Sequence, residues 1–246
     1  MPQQLPLRIS EIDGYRALFF GNQMQGGCAL SPGAEAVDPD LAGPGPVTIA
    51  AYQAGWLHAG LYHPSGLACM IGLGAGSGVV SLLYNFPHLY MEVIEISQEV
   101  VDQAIEAFPL LGHYLSQGRL NIRVEDANTA EFHGYDIGFA DAYIGENNLI
   151  MGYLQKFQDA CECLWFNAID TPHGPTVTKI CESLQNAGRP PLVARVHLGQ
   201  NMPRDNYLIT DQQFFPSWNP YPDLEGPWVD YARQKYHEVG ILLTAG

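Results

Sequence analysis

The 246-residue chain is predicted to adopt an α/β fold: a Rossmann-like, mostly parallel sheet that ends in an antiparallel hairpin and is preceded by a small N-terminal β element. Three observations carry this prediction. An apolar strand (67–72) runs into a glycine-rich turn (72–78), a helix start and a second apolar strand that closes on Glu95. Strand-like and helix-like runs then alternate as far as residue 198, which is the pattern of a parallel sheet with crossover helices. Before the turn, short alternating runs in residues 7–30 are split by Asp13-Gly14 and Gly21-Asn22, dipeptides that favour tight hairpins.

In chain order, residues 7–30 are read as two or three antiparallel strands. Residues 31–46, rich in Pro, Gly, Ala and Asp without periodicity, are read as a loop. The domain boundary is placed after it, with residues 1–46 as the β element and loop and 47–246 as the nucleotide-binding catalytic domain. Ile49, Tyr52, Trp56 and Leu57 share a helical stripe that His63-Pro64 ends. The expected elements that follow the strand at 67–72 are a helix at 77–86, a strand at 90–95, a helix at 98–108, and strands at 120–124 and 135–141. Later come a helix near 147–163, a strand at 164–169, a helix near 174–187, and strands at 192–198 and 205–210. The tail, with Phe214, Phe215, Trp218, Tyr221 and Trp228, reads as a cover over the core.

Residues 67–86 carry no charge, which raises the question of a membrane span; four glycines within 72–78, with Ser77, Ser81 and Asn85, argue against one. Hydrophobic residues make up 47% and charged residues 15%, a globular balance. A net charge of −15 repels nucleic acid and anionic membranes, so neither is expected as a partner. The five cysteines form no disulfide framework, and Cys161-x-Cys163 lacks zinc-site spacing. Nor do the histidines pair at ligand spacing, so no metal is expected. With no signal-peptide pattern at the N-terminus, a cytoplasmic location is the expectation.

In an open α/β sheet the ligand sits beyond the carboxyl ends of the strands, where strand order reverses. The turn at 72–78, Glu95, Asp126 and Asp141 all meet that description. A glycine turn lets a nucleotide approach the backbone and the following helix N-terminus. Glu95 stands 17 residues beyond Gly78, near the ~20 expected of an acid that accepts from ribose hydroxyls. Asp126, followed by Ala127, is placed to accept from an adenine amino group. Asp141 would lie closest to the reacting centre, where a carboxylate can hold or deprotonate an amine.

Ile71-Gly-Leu-Gly-Ala-Gly-Ser-Gly78, Val93-Ile-Glu95-Ile96, Val124-Glu-Asp126-Ala127 and Tyr135-Asp-Ile-Gly-Phe-Ala-Asp141-Ala-Tyr143 resemble the successive motifs of spermidine synthases and their homologues. That family has the fold of class I S-adenosylmethionine-dependent methyltransferases. The resemblance runs over roughly residues 8–210 and includes Gln25 near the end of the β element and a helix bearing Tyr52-Gln53. It implies a cofactor site of Gln25, Gly72, Gly74, Ala75, Gly76, Glu95, Ile96, Asp126, Ala127 and Asp141. It further implies a substrate side of Tyr52, Gln53 and Tyr143, Asp141 as the catalytic acid, and a homodimer. The reaction implied is transfer of an aminopropyl group from decarboxylated S-adenosylmethionine to a small amine acceptor, without a metal.

Several positions depart from the family pattern. Ala75 stands where the glycine motif has Asp, Gln53-Ala54 replaces His-Glu, Ser97 replaces an Asp, and Ile144 replaces the second Asp after the catalytic one. Acids that would face a polyamine are lost. Methyl transfer from intact S-adenosylmethionine, and a nucleotide-binding homologue without turnover, are the alternatives.

Overall fold

The computed structural model describes residues 7–12, 15–21, 23–29, 53–144, 148–149, 152–171, 174–196, 205–211 and 242–244. The boundary expected at residue 46, the loop at 31–46, Ile49, Tyr52 and the aromatic tail lie outside the described residues.

The N-terminal runs form an antiparallel sheet in the order β1 (Leu7–Ile12), β2 (Tyr15–Phe20), β3 (Gln23–Ala29). Gly21, at φ 55°, supplies the left-handed residue of the second connection. The β2–β3 register shifts between Leu18 and Phe19, so that Gln25 is the extra residue of a bulge. Leu18 is fully buried in the same apolar cluster as Val79 and Leu83, which ties this sheet to the larger domain.

Next come α1 (Gln53–Tyr62), β4 (Ser65–Ile71), α2 (Ser77–Asn85), β5 (His88–Glu95), α3 (Gln98–Ala107), α4 (Pro109–Ser116) and β6 (Leu120–Val124). After them run β7 (Tyr135–Ala140), a short pair β8 (Tyr143–Ile144) and β9 (Asn148–Leu149), α5 (Leu154–Ala160) and β10 (Cys161–Asp170). The described chain ends with α6 (Pro175–Asn186), β11 (Leu192–Val196), β12 (Asp205–Thr210) and β13 (Leu242–Thr244). The main sheet has eight strands in the order β13-β11-β12-β10-β7-β4-β5-β6. Pairing is parallel from β10 through β7, β4 and β5 to β6, and antiparallel where β12 meets β10 and β11.

A sheet covered on both faces reads as continuous apolar strands. Along β10, Cys163 and Trp165 face one cluster with Trp56, Val79, Leu83 and Phe139. Leu164 and Phe166 face another with Cys69, Ile71, Phe157 and Ile180. The Trp56 and Phe139 rings meet at 5.6 Å, fixing α1 against the sheet. Among the described residues no helix is long and apolar enough to cross a membrane.

The structure corrects the expected elements in three places. The helix expected near 147–163 is confined to α5, because Cys161 and Cys163 pair in parallel with Tyr135 and Ile137 and extend β10. A helix not anticipated, α4, starts on Pro109, whose fixed φ suits a first helical turn. Strand β4 stops at Ile71 because Gly72 turns to φ 90°.

Candidate functional site

Strand β4 is flanked by β5 on one side and β7 on the other, and the chain proceeds outward in both directions from it. The carboxyl ends of β4 and β7 therefore form the switch point at which α/β sheets place ligands.

The glycine turn follows β4. Gly72, Gly74 and Gly76 all have positive φ, at 90°, 53° and 71°. A Cβ on Gly72 would stand 2.6 Å from the Asp141 carbonyl oxygen, so this position needs both the conformation and the missing side chain of glycine. The Gly72 amide donates to Ile94 O at 2.9 Å and the Asp141 amide to Ile71 O at 2.9 Å, lacing the three strand ends together. Helix α2 begins at Ser77 with no side-chain cap on its first turn. Ala75 is only 1% exposed and its methyl group packs in the apolar cluster with Val79. Gln53, also buried, accepts from the Ser77 hydroxyl at 3.0 Å and so joins α1 to the start of α2.

Glu95 ends β5 and is 8% exposed. Its two oxygens accept from the Leu73 amide at 2.9 Å and the Ser97 amide at 3.0 Å, so one carboxylate braces the glycine turn and the start of α3. Burial pushes the Glu95 carboxyl above its ordinary range, against the opposing pull of the Leu73, Ser97, Ile96 and Gly74 amides. The next side chain, Ile96, is an apolar group left 60% exposed. Ser97 caps α3, its hydroxyl accepting from the Val100 amide at 3.3 Å.

Asp126 lies just past β6. Its Oδ1 accepts from both the backbone and the side-chain amide of Asn128, each at 2.9 Å, while its carbonyl accepts from the Thr129 and Ala130 amides. This is an Asx turn, and it buries Ala127 in the second cluster. The Glu125 amide donates to Glu95 O at 3.0 Å, which holds the Asp126 segment beside the end of β5.

Asp141 follows β7, and its Oδ1 accepts from Asn167 Nδ2 at 2.8 Å. The Tyr143 hydroxyl donates to the carbonyl of the same Asn167 at 2.5 Å. Tyr153 is buried nearby: desolvation, followed by the Asp141 charge, pushes its hydroxyl far above the ordinary range. Among the described residues that hydroxyl has no hydrogen-bond partner.

The structure thus brings Gly72, Gly74, Gly76, Glu95 and Asp141 onto one edge of the sheet, with Asp126 joined through Glu125 and Tyr143 joined through Asn167. Gln25 lies on β3 with its side chain outside the described residues, and Tyr52 is outside them altogether. Sequence reasoning missed Asn167 and Tyr153. Asn167 had a readable signal, as an amide inside the apolar run Cys163-Leu-Trp-Phe-Asn167-Ala-Ile; Tyr153 had none. Cys69, Cys161 and Cys163 are buried, and burial pushes the thiols of Cys69 and Cys163 up to about 12. Among the described residues no three His, Cys, Asp or Glu side chains converge as a metal site would require.

No protein-family model matches the chain, and no curated protein matches it significantly. Solved structures do resemble it. A probable spermidine synthase from Corynebacterium glutamicum superposes with a TM-score of 0.67 at 12% identity, over 97% of this chain and 86% of its own. The fold is that of the class I methyltransferases. A protein of Pyrococcus horikoshii, provisionally assigned as an RNA methyltransferase, gives a TM-score of 0.50 at 17% identity over 65% of this chain and 79% of its own. At these identities the likeness is one of fold.

Proposed function

We propose that this protein is a transferase that uses an adenosyl sulfonium compound, and that the group it moves is an aminopropyl, carried from decarboxylated S-adenosylmethionine to an amine. The observation behind this reading is the close approach of the Gly72 and Asp141 backbones at the ends of β4 and β7, where the Asp141 amide donates to Ile71 O at 2.9 Å. It puts a nucleotide-type glycine turn beside the residue whose carboxylate would receive an amine.

The chemistry asks little of the protein, because the sulfonium is already a good leaving group. The amine lone pair attacks the carbon next to sulfur, the C–S bond breaks with its electron pair going to sulfur, and methylthioadenosine leaves. The proton shed by nitrogen passes to Asp141 and then to water. What remains for the chain is alignment and an unprotonated nucleophile. Glu95 would take the ribose hydroxyls on lone pairs that the Leu73 and Ser97 amides leave over, Ile96 would lie against adenine, and Asp126 with Ala127 would meet its edge. The overlap in fold, over 97% of this chain, with a structure described as a probable spermidine synthase supports the aminopropyl version.

One observation favours methyl transfer instead. Ala75 is neutral and turned into the core, so no carboxylate from that position opposes the carboxylate of intact S-adenosylmethionine. Calorimetric titration with S-adenosylmethionine, its decarboxylated form and methylthioadenosine separates the readings: tighter binding of the decarboxylated form is expected for aminopropyl transfer, and of the intact form for methyl transfer. Should Glu95→Ala and Asp126→Ala bind all three as the parent does, the nucleotide site is misplaced.

A further inference from the structure

Two buried amide oxygens near Asp141 have no partner among the described residues, and neither belongs to the nucleotide half of the site. Asn167 is 1% exposed and Asn206 is 3% exposed, and the Oδ1 of each is buried without a hydrogen bond. Leaving a buried acceptor unsatisfied costs about 1–3 kcal/mol, and such atoms are few in native proteins. Two on one strand pair beside a candidate catalytic carboxylate therefore call for a cause.

Register shows that they form a row. β10 and β12 pair Asn167 with Leu208 and Ile169 with Asn206, which makes the two asparagines diagonal neighbours on one face, roughly 7–8 Å apart. Leu208 and Trp165 confirm the face, since both join the cluster that contains Trp56 and Phe139. β7 and β10 pair Ala140 with Phe166, so Asp141 stands beside Asn167. Because β12 runs antiparallel to β10, its first residues lie at the same edge as the carboxyl ends of β7 and β10. Asp141, Asn167 and Asn206 thus follow one another across three strands.

The chemistry of the row is one-sided. Asn167 Nδ2 is engaged by Asp141, which fixes the amide orientation and leaves Oδ1 able only to accept. Among the described residues Asp141 is the carboxylate on this face of the three strands, and the two amides add acceptors without charge.

We infer that Asp141, Asn167 and Asn206 form the subsite for the nucleophile, and that it takes a monoamine, received as its ammonium by one carboxylate and two neutral oxygens and attacking once Asp141 has taken the ammonium proton and passed it to water. The inference rests on the transferase reading above and narrows its acceptor to a monoamine head group. On this face of β7, β10 and β12 a second ammonium would meet no second acid among the described residues, and an unpaired buried cation is costly.

The test follows the side-chain amide resonances of Asn167 and Asn206 in the 15N-labelled full chain, assigned with Asn167→Leu and Asn206→Leu. Butylamine, putrescine and butanol are titrated with and without methylthioadenosine. Butylamine is expected to shift both amides, putrescine to bind no tighter than butylamine, and butanol to bind more weakly. Asn206→Leu should weaken butylamine about tenfold or more while keeping the parent's affinity for methylthioadenosine. The isosteric Asn206→Asp, which guards against a variant that fails to fold, should tighten butylamine about tenfold and let putrescine overtake it. If butylamine moves neither amide, or both Asn206 variants bind it as the parent does, the oxygens serve only buried water and the inference falls. Amine binding that persists when no adenosyl compound binds would overturn the transferase reading and leave the subsite standing.

Discussion

The ends of β4 and β5 lie beside the ends of β7, β10 and β12 on one edge of the sheet, yet the two regions treat their polar atoms in opposite ways. On the first side Glu95 is buried but both its oxygens accept from backbone amides, and the glycine turn is closed by its own hydrogen bonds. On the second side Asn167 Oδ1, Asn206 Oδ1 and the Tyr153 hydroxyl are buried without partners among the described residues. A side whose polar groups are already satisfied is preorganised, and a ligand there meets a fixed frame. A side with unmet acceptors is stable only because the rest of the core carries it, and it is completed by what binds.

Four substitutions can break or sharpen that contrast. The largest effect is expected of Asp141→Asn, which keeps the shape beside Asn167 but removes the proposed base: turnover should fall by about 10²–10⁴-fold with the adenosyl ligand still bound. Stopped-time product assays with parallel calorimetry read both quantities, and an active variant would remove Asp141 from the chemistry. Gly72→Ala should cost about 3 kcal/mol in urea unfolding, the sum of a strained positive φ and a Cβ 2.6 Å from the Asp141 carbonyl. A loss under about 1 kcal/mol would mean that the turn is not the rigid frame described.

Glu95→Gln probes the satisfied side through pH. Burial raises the folded-state pKa of Glu95, so the folded protein binds more protons than the unfolded chain between the ordinary glutamate value and the raised one. The stabilisation present below the ordinary value is lost as pH rises through the folded one. The stability of Glu95→Gln relative to the parent should therefore climb across that window in denaturation curves taken at successive pH values. A flat or falling difference would contradict it. The smallest effect belongs to the unsatisfied side: Asn206→Leu should be neutral or stabilising by up to about 1 kcal/mol, since it removes an unmet acceptor. Strong destabilisation would show that the amide has a structural partner.

The same contrast explains what was legible in the sequence. The proposed nucleotide side is written in local signals: Ile71 to Gly78 is a strand, a turn and a helix start within a few residues, and Glu95 is found by its distance from that turn. The alternation that places β4 to β7 is also local, with each element announcing itself by its own periodicity. The proposed amine side is made by register. Asn167 touches Asp141 because β10 pairs with β7, and Asn206 reaches the same edge because β12 runs backward beside β10. Neither fact is visible in a window of sequence. The misjudged start of β10 has the same origin, since residues 161–163 read as the end of a helix until Tyr135 and Ile137 are set beside them. Ala75 was legible as a departure from the family pattern; that its methyl group turns into the core was not.

The central claim is that this edge of the sheet moves a carbon group from an adenosyl sulfonium to an amine. Mass spectrometry of butylamine incubated with the protein and each sulfonium donor tests it most directly. The account predicts an amine heavier by one aminopropyl group from decarboxylated S-adenosylmethionine, with methylthioadenosine formed in equal amount and both products formed about 10²–10⁴-fold more slowly by Asp141→Asn. A methyl group gained from intact S-adenosylmethionine would keep the site and change the donor. Unchanged butylamine, putrescine and spermidine with both donors would contradict the account.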